Sequence, residues 1–346
     1  MSKNIIHKLL GHGAKSGANS LVINRLDNGL NFNYKFDDES EQNFSLPASL
    51  GQKILENFWQ VLKISEDKIN PKQVFKLREK NYQIDFNLSI VSNKAGEKII
   101  VRILKKNQQS LSLKQLGFQI KNLNILKKGI KARSGLIIIS SPEANGKTTS
   151  LQALIKEIDT ETINAYFLEN NPGTLLPNIN YLKNSQNNWD KILGHDSDLI
   201  IIDDLENDLD LIKAIKAATT GRLVIIAIQA YSSLEIVLRI LKLDLPPTLK
   251  INSLKIIVNQ RLVDLNRNLK TNNKFSSLGM RSKIAISEVI DFDKKIKKYL
   301  IENADNYNNE IFWKNLNDLI VENGFEALKN DLAKKVKNGS VKNTIK

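Results

Sequence analysis

Apolar residues along this chain follow two rhythms, and the change between them divides it. Near the start they alternate. Leu21-Val22-Ile23 runs into Asp27-Asn28-Gly29, and Leu30-Asn31-Phe32-Asn33-Tyr34-Lys35-Phe36 puts every second side chain on one face. This predicts two short strands around a turn within 19–38. Ile54, Phe58 and Leu62 share one helical face, which predicts an amphipathic helix over Leu50 to Leu62. Alternation returns at Tyr82 to Val91 and Lys98 to Leu104, joined through Asn93-Lys94-Ala95-Gly96. Together these elements predict a small α+β domain ending near residue 106.

After the polar linker Lys105 to Ser112 and a helical stretch to about Ile130, the rhythm changes. Leu136 to Ile139, Leu199 to Ile202 and Leu223 to Ile228 are unbroken apolar runs with helical segments between them. Strands of that kind are buried on both faces, as in a parallel sheet covered by helices. A helix is predicted over Thr148 to Ile158. Residues 266–283, rich in Asn and Ser, read as a loop. From Asp293 the period is helical again (Ile296, Leu300; Leu316, Leu319, Ile320), and the chain finishes in a Lys-rich tail.

The strongest chemical signal lies between the first unbroken run and the helix after it: Ser140-Ser141-Pro142-Glu143-Ala144-Asn145-Gly146-Lys147-Thr148-Thr149. A buried strand, a loop and a helix opening on Gly-Lys-Thr are the setting of a phosphate-binding loop. Backbone N–H groups at the helix start would cradle phosphates, Lys147 would reach the β and γ oxygens, and Thr148 would hold Mg²⁺. Ser141, Asn145, Gly146, Lys147, Thr148 and Thr149 are therefore the candidate nucleotide-binding residues. Gly11 to Ser16 imitates the motif, but no buried strand precedes it. The run Leu199-Ile200-Ile201-Ile202-Asp203-Asp204 ends in carboxylates, where such a site keeps its Mg²⁺-associated acid.

Composition narrows the picture modestly. The 346 residues suffice for two domains, and 41% hydrophobic with 25% charged residues is a globular balance. A net charge of +14 is compatible with nucleic acid, an anionic membrane or a nucleotide. With no Cys and only His7, His12 and His195, no zinc site is expected. His195, beside Gly194, reads as a surface residue. Met1 to Lys8 has no signal-peptide pattern, and no apolar run nears the ~20 residues of a membrane span, so a cytoplasmic protein is expected.

Over nearly its whole length the sequence resembles the type II secretion and type IV pilus assembly ATPases. His195 to Asp204 resembles their Walker B region, where "DPD" precedes the strand and a Glu ends it. Ala214 to Val224 is similar to "A-x-x-A-A-x-T-G-H-L-V", and Arg239, Pro247 and Gln260-Arg261-Leu262 fall at the family's Arg, Pro and "QRL". Gly96-Glu97-Lys98 with Arg102 and Leu104 resembles its "G-E-x-x-x-x-R-x-L", and Leu116-Gly117-Phe118 its "L-G-F".

The resemblance implies an α/β fold: a RecA-like P-loop domain with a parallel sheet, preceded by a small α+β domain and followed by a helical C-terminal segment. In this chain the implied divisions are 1–106, an N-terminal α+β (PAS-like) domain; 107–130, linker and helix; 131–265, the RecA-like core; 266–283, a loop; and 284–346, the helical segment. It also implies a homo- or hetero-hexamer, ATP with Mg²⁺ between the two domains, and an inner-membrane platform protein as partner. The implied location is cytoplasmic and peripheral to the inner membrane.

Carried over residue by residue, the resemblance makes Glu169, Asp204 and Arg102 the catalytic candidates. Glu169 matches the first acid of the Asp box, Asp204 the Walker B Glu, and Arg102 one of two arginines that reach the phosphates. Thr148 and Asp204 are the Mg²⁺ candidates, and Gln229 stands at the γ-phosphate-sensing histidine. Departures accompany these matches. Ser141 and Ala144 replace loop glycines, Asn170 and Gly173 replace box acids, Asn87 stands at the second arginine, and the four-cysteine zinc module is missing from 264–283.

Binding and hydrolysis are affected unequally. If position 141 needed φ > 0, Ser141 would cost about 1–2 kcal/mol, roughly tenfold in affinity. Losing an arginine that answers phosphoryl charge can cost about 10³ to 10⁵ in rate. Shortening the carboxylate at Asp204 can shift a contact by about 1 Å, worth ~10². Three readings stay open: a motor that couples ATP hydrolysis to pilin or pseudopilin assembly, a hydrolysis-deficient paralogue in the same ring, and a nucleic-acid translocase. The last is disfavoured, since no basic stretch is interleaved with base-stacking aromatics. The lysines within 329–346 read as a solvated tail or as contacts to anionic lipid, at ~1 kcal/mol each.

Overall fold

The computed structural model describes residues 3–26, 29–36, 40–62, 74–79, 82–93, 96–104, 111–169, 176–205, 207–266 and 283–341. The chain divides into two units, Met1–Gln108 and Gln109–Lys346.

The first unit runs α1 (Lys3–Ser16), β1 (Ser20–Leu26), β2 (Gly29–Lys35), β3 (Glu41–Pro47), α2 (Ala48–Leu62), β4 (Val74–Glu79), β5 (Tyr82–Asn93) and β6 (Gly96–Leu104). Its strands form one antiparallel sheet in the order β3-β2-β1-β6-β5-β4. The alternation predicted for β2 is visible in its burial: Phe32 and Tyr34 are buried while Lys35 is exposed. Ile6 and Leu10 of α1 and Ile54 and Phe58 of α2 share a core with Phe32, Phe86, Leu88 and Val101. The Gly11-to-Ser16 imitation of a phosphate loop lies inside α1. The turns at Asp27-Asn28 and Lys94-Ala95 lie outside the described residues, as does most of the linker.

The second unit begins with α3 (Leu113–Leu116), α4 (Ile120–Gly129), β7 (Gly135–Ser141), α5 (Lys147–Ile155), β8 (Ala165–Leu168) and β9 (Ile179–Leu182). It continues with α6 (Gln186–Gly194), β10 (Leu199–Leu205), α7 (Asp208–Thr219), β11 (Leu223–Gln229), α8 (Ser233–Leu241) and α9 (Pro247–Ser253). It closes with β12 (Leu254–Asp264), β13 (Lys283–Asp291), α10 (Lys294–Glu302), α11 (Glu310–Glu322) and α12 (Leu328–Lys337). The sheet order is β13-β12-β7-β11-β10-β8-β9, parallel except for the β12–β13 pair. The unbroken runs are its centre, with Leu136 to Ile139, Leu199 to Ile202 and Val224 to Ile228 all at 2% exposure or less. Two separate apolar clusters cover its two faces, as a doubly covered parallel sheet requires.

Two expectations are corrected. The segment 284–346, read as helical, opens with β13, whose Ala285, Ile286, Val289 and Ile290 are buried against β12. No apolar run marked it, because the buried polar residues Ser287 and Glu288 interrupt it. The Lys-rich end is also a packed helix rather than a free tail: Lys329, Lys334 and Lys337 are exposed as expected, but Lys335 is not. Lys335 is buried on α12, donating to Asp331 and to the Ala285 carbonyl, each at 2.8 Å. Asp331 also accepts from Gln119 Nε2 and from the Ser287 N–H at 2.8 Å, which ties α12 to β13. Burial lowers the Lys335 pKa, and Asp331 opposes that shift. Helix α1 and strands β3, β4, β8 and β9 carried no pattern clear enough to predict.

Candidate functional site

The site grows from the C-terminal ends of the parallel strands, where loops can approach a ligand without breaking the sheet. Strand β7 is buried through Ser141, after which the chain leaves the sheet and re-enters structure as α5. Gly146 makes the turn as the residue before α5, with φ 80°, a left-handed conformation that glycine accepts without steric cost. No side chain caps this helix. Its first-turn N–H groups therefore remain for an anion, and the positive end of the helix dipole favours one.

The loop is held from behind by β12. Gln260 Nε2 donates to the Asn145 carbonyl at 2.7 Å, and the Leu262 N–H donates to Asn145 Oδ1 at 2.9 Å. Asn145 Nδ2 in turn donates to the Glu143 carbonyl at 2.8 Å. Gln260 is 1% exposed, so this brace is internal. It gives a physical role to the Gln-Arg-Leu match, which the sequence marked only as a resemblance.

Ser141 does not occupy left-handed backbone. The positive-φ residues of the loop are Ala144, at 57°, and Gly146. Ser141 stays in the strand, fully buried, with its Oγ donating to the Pro142 carbonyl at 2.7 Å. The conformational cost expected at Ser141 thus falls on Ala144. Thr149 is exposed on the first turn of α5.

Lys147 and Thr148 each face a carboxylate. The Thr148 hydroxyl donates to Asp203 at 2.7 Å, and Lys147 Nζ lies 3.5 Å from Asp204. Asp203, which sequence reading left in the shadow of its neighbour, is therefore the acid on the threonine. Both carboxylates reach the loop because β10 is irregular there: its pairing with β11 slips by one residue between Ile202 and Leu205, and Asp204 has φ 57°. In a regular strand, adjacent side chains would point to opposite faces.

Glu169 follows β8 directly, and the pairing of Leu168 with Ile202 sets it beside Asp203. Burial, with Asp203 adding repulsion, pushes the Glu169 carboxyl up to about 7. Burial also raises Asp203, against the stabilising Thr148 hydrogen bond. Asp203 Oδ1 is buried and unpartnered. Gln229 ends β11, the strand between β7 and β10, in register with Ser141 and exposed. Arg102 is exposed on β6 of the first unit, opposite Asn87 in the β5–β6 register. Asn170 and Gly173 lie outside the described residues. His195 is exposed at the end of α6.

Hard oxygen donors from Thr148 and Asp203, one oxygen of the latter buried without a partner, fit Mg²⁺. No group of three or more His, Cys, Asp or Glu able to hold a metal exists among the described residues.

The model of the type II/IV secretion system protein family matches residues 1–341. The chain belongs to this family. A type II secretion system protein E from Aeromonas hydrophila is 24% identical over 75% of this chain and 54% of its own length. The type IV pilus assembly ATPase PilB of Pseudomonas aeruginosa is 26% identical over 74% of this chain and 47% of its own. The chain thus spans about half the length of the curated relatives it matches. Among solved structures, the pilus retraction motor PilT with bound ADP superposes with a TM-score of 0.73 at 17% identity, covering 98% of this chain and 94% of that one. That likeness extends the family assignment to the fold: a RecA-like P-loop architecture. No helix among the described residues is long and apolar enough to cross a membrane.

Proposed function

We propose that this chain is a nucleotide-binding subunit of a six-membered secretion or pilus-assembly ring, and that it takes up Mg²⁺–ATP at the phosphate loop and hydrolyses it slowly. The observation that carries the reading is the loop itself: an uncapped helix start at Gly146, braced from β12, with Lys147 and Thr148 facing the strand-end acids. The names of the relatives, a pilus assembly ATPase and a retraction motor with bound ADP, support the choice of nucleotide and machine.

In this reading the N–H groups of α5 and the Lys147 ammonium bind the β and γ phosphates, and Thr148 and Asp203 hold Mg²⁺. The ion, when bound, neutralises the charge that develops as the γ-phosphoryl leaves. Glu169 is the group placed to orient a water and to hold a proton. Burial keeps its carboxyl above the usual carboxylate range, the direction a proton-holding group needs.

Slow turnover follows from what the chain has in place of the stronger groups that the resemblance expects. Asn87 stands opposite Arg102 where the resemblance expects a second arginine, Gln229 stands at the sensing histidine, and Asp204 is directed at Lys147. Such groups act as one unit, so their separate costs are not multiplied. The ring, the inner-membrane platform protein and the cytoplasmic location at that membrane belong to the same reading. Phosphate release from the assembled protein, with Lys147→Ala as blank, tests it. Turnover well below about 1 s⁻¹ but above the blank is expected. A rate at or above that range makes the chain an ordinary motor, and no difference from the blank removes the catalytic half of the reading.

A further inference from the structure

The two adjacent carboxylates at the end of β10 do different things. In an uninterrupted strand only one of them could face the phosphate loop. The extra residue between Ile202 and Leu205, with Asp204 in left-handed backbone, turns both toward it. Asp203 then meets the Thr148 hydroxyl at 2.7 Å and keeps its second oxygen buried and unpartnered, while Asp204 lies 3.5 Å from Lys147 with its side chain 66% exposed.

We propose, resting on the nucleotide-binding reading above, that this bulge separates two roles. Asp203 is the carboxylate that positions the divalent cation through Thr148. Asp204, the residue that sequence matching assigns to the cation, is a displaceable counter-ion for Lys147.

Chemistry supports the division. A half-buried carboxylate with one oxygen already oriented by a hydroxyl and the other buried and unpaired is preorganised for a hard cation, because the ion satisfies an atom that is otherwise costly to bury. A mostly exposed carboxylate facing a lysine across 3.5 Å is held weakly and released at little cost. Phosphate oxygens compete for the same ammonium. Incoming nucleotide must therefore exchange the Lys147–Asp204 contact for its own, whereas the Thr148–Asp203 contact is extended when the cation arrives. The bulge thus sets a small threshold on nucleotide entry at Lys147 and leaves cation binding to the neighbouring residue.

The two roles predict opposite responses to Mg²⁺. A fluorescent ATP analogue is titrated into wild-type protein, Asp203→Asn, Asp203→Glu and Asp204→Asn, each in excess Mg²⁺ and again in EDTA. Asparagine tolerates the left-handed backbone at 204, so that variant changes charge without adding strain. Asp204→Asn is expected to tighten binding in EDTA by about two- to fivefold, the scale of a weak exposed ion pair, and to keep the Mg²⁺ enhancement. Asp203→Asn is expected to lose most of that enhancement, with about a 10- to 100-fold weaker response to Mg²⁺. Asp203→Glu restores part of it, and circular dichroism melting accompanies each variant. A merely structural role at 203 would lower the melting point and shift binding equally in Mg²⁺ and EDTA, which overturns the proposal. So does the reverse pattern, with Mg²⁺ dependence lost at 204 and kept at 203. Wild-type protein that binds no analogue in either condition contradicts the nucleotide reading itself, whereas binding in wild type with identical behaviour of the two asparagine variants contradicts only the division of roles.

Discussion

Gln260 reaches from β12 into the back of the phosphate loop and donates to the Asn145 carbonyl at 2.7 Å. The next strand position but one, Leu262, grips the Asn145 side chain through its N–H. The loop's shape is thus set by a strand far away in sequence. A ligand-binding loop held this way enters the bound state with little ordering left to do.

Removing the brace should therefore weaken binding more than it weakens the fold. Gln260→Ala is expected to lower nucleotide affinity about tenfold, the equivalent of roughly 1.4 kcal/mol for one oriented buried hydrogen bond. Titration of an ATP analogue against the variant checks this, with unchanged affinity as the contrary result.

Ala144 sits at φ 57° without the freedom of glycine. Left-handed backbone costs a non-glycine residue about 1–2 kcal/mol, and glycine loses about 0.5–1 kcal/mol more backbone entropy on folding. The balance predicts that Ala144→Gly stabilises the protein by about 0.5–1 kcal/mol. Thermal melting should rise by about 1–4 °C for a unit of this size.

The buried pair on α12 predicts a larger effect. Asp331→Ala strands the Lys335 ammonium and leaves the Ser287 N–H and Gln119 without their acceptor. The expected loss is about 3–5 kcal/mol. Adding Lys335→Met to the same chain should recover part of it, because the isolated charge is gone while the two donors remain unpaired. Chemical denaturation of the single and double variants measures both.

Lys297 carries a pH signature. Burial, reinforced by repulsion from Lys255 and opposed by Asp291, lowers its pKa to about 8, against an ordinary 10.5. Between those values the unfolded chain binds more protons than the folded one, so stability should rise as pH climbs from about 8 to 10.5. Lys297→Met should flatten that rise in denaturation curves collected across the window, and an unchanged slope would contradict the assignment.

How much was legible in advance differs between the fold and the site. Continuous apolar runs announced β7, β10 and β11, because strands buried on both faces cannot alternate. Strand β13 was missed because two buried polar residues, Ser287 and Glu288, interrupt its apolar run, and it lies beside a polar loop and a helical end. Lys147, Thr148 and Gly146 were readable because their spacing is local. The pairing of Thr148 with Asp203 was not, because it depends on a bulge that no residue type at 203 or 204 announces. Gln260 was visible only as a match, since its partner Asn145 lies more than a hundred positions earlier.

The account stands on Lys147 at an uncapped helix start that binds phosphate. Titrating a fluorescent ATP analogue in excess Mg²⁺ into the wild type and Lys147→Ala tests this most directly. The account predicts saturable binding to the wild type that competes with unlabelled ATP and is lost in the variant. Equal binding by both proteins, or none by the wild type, would contradict it.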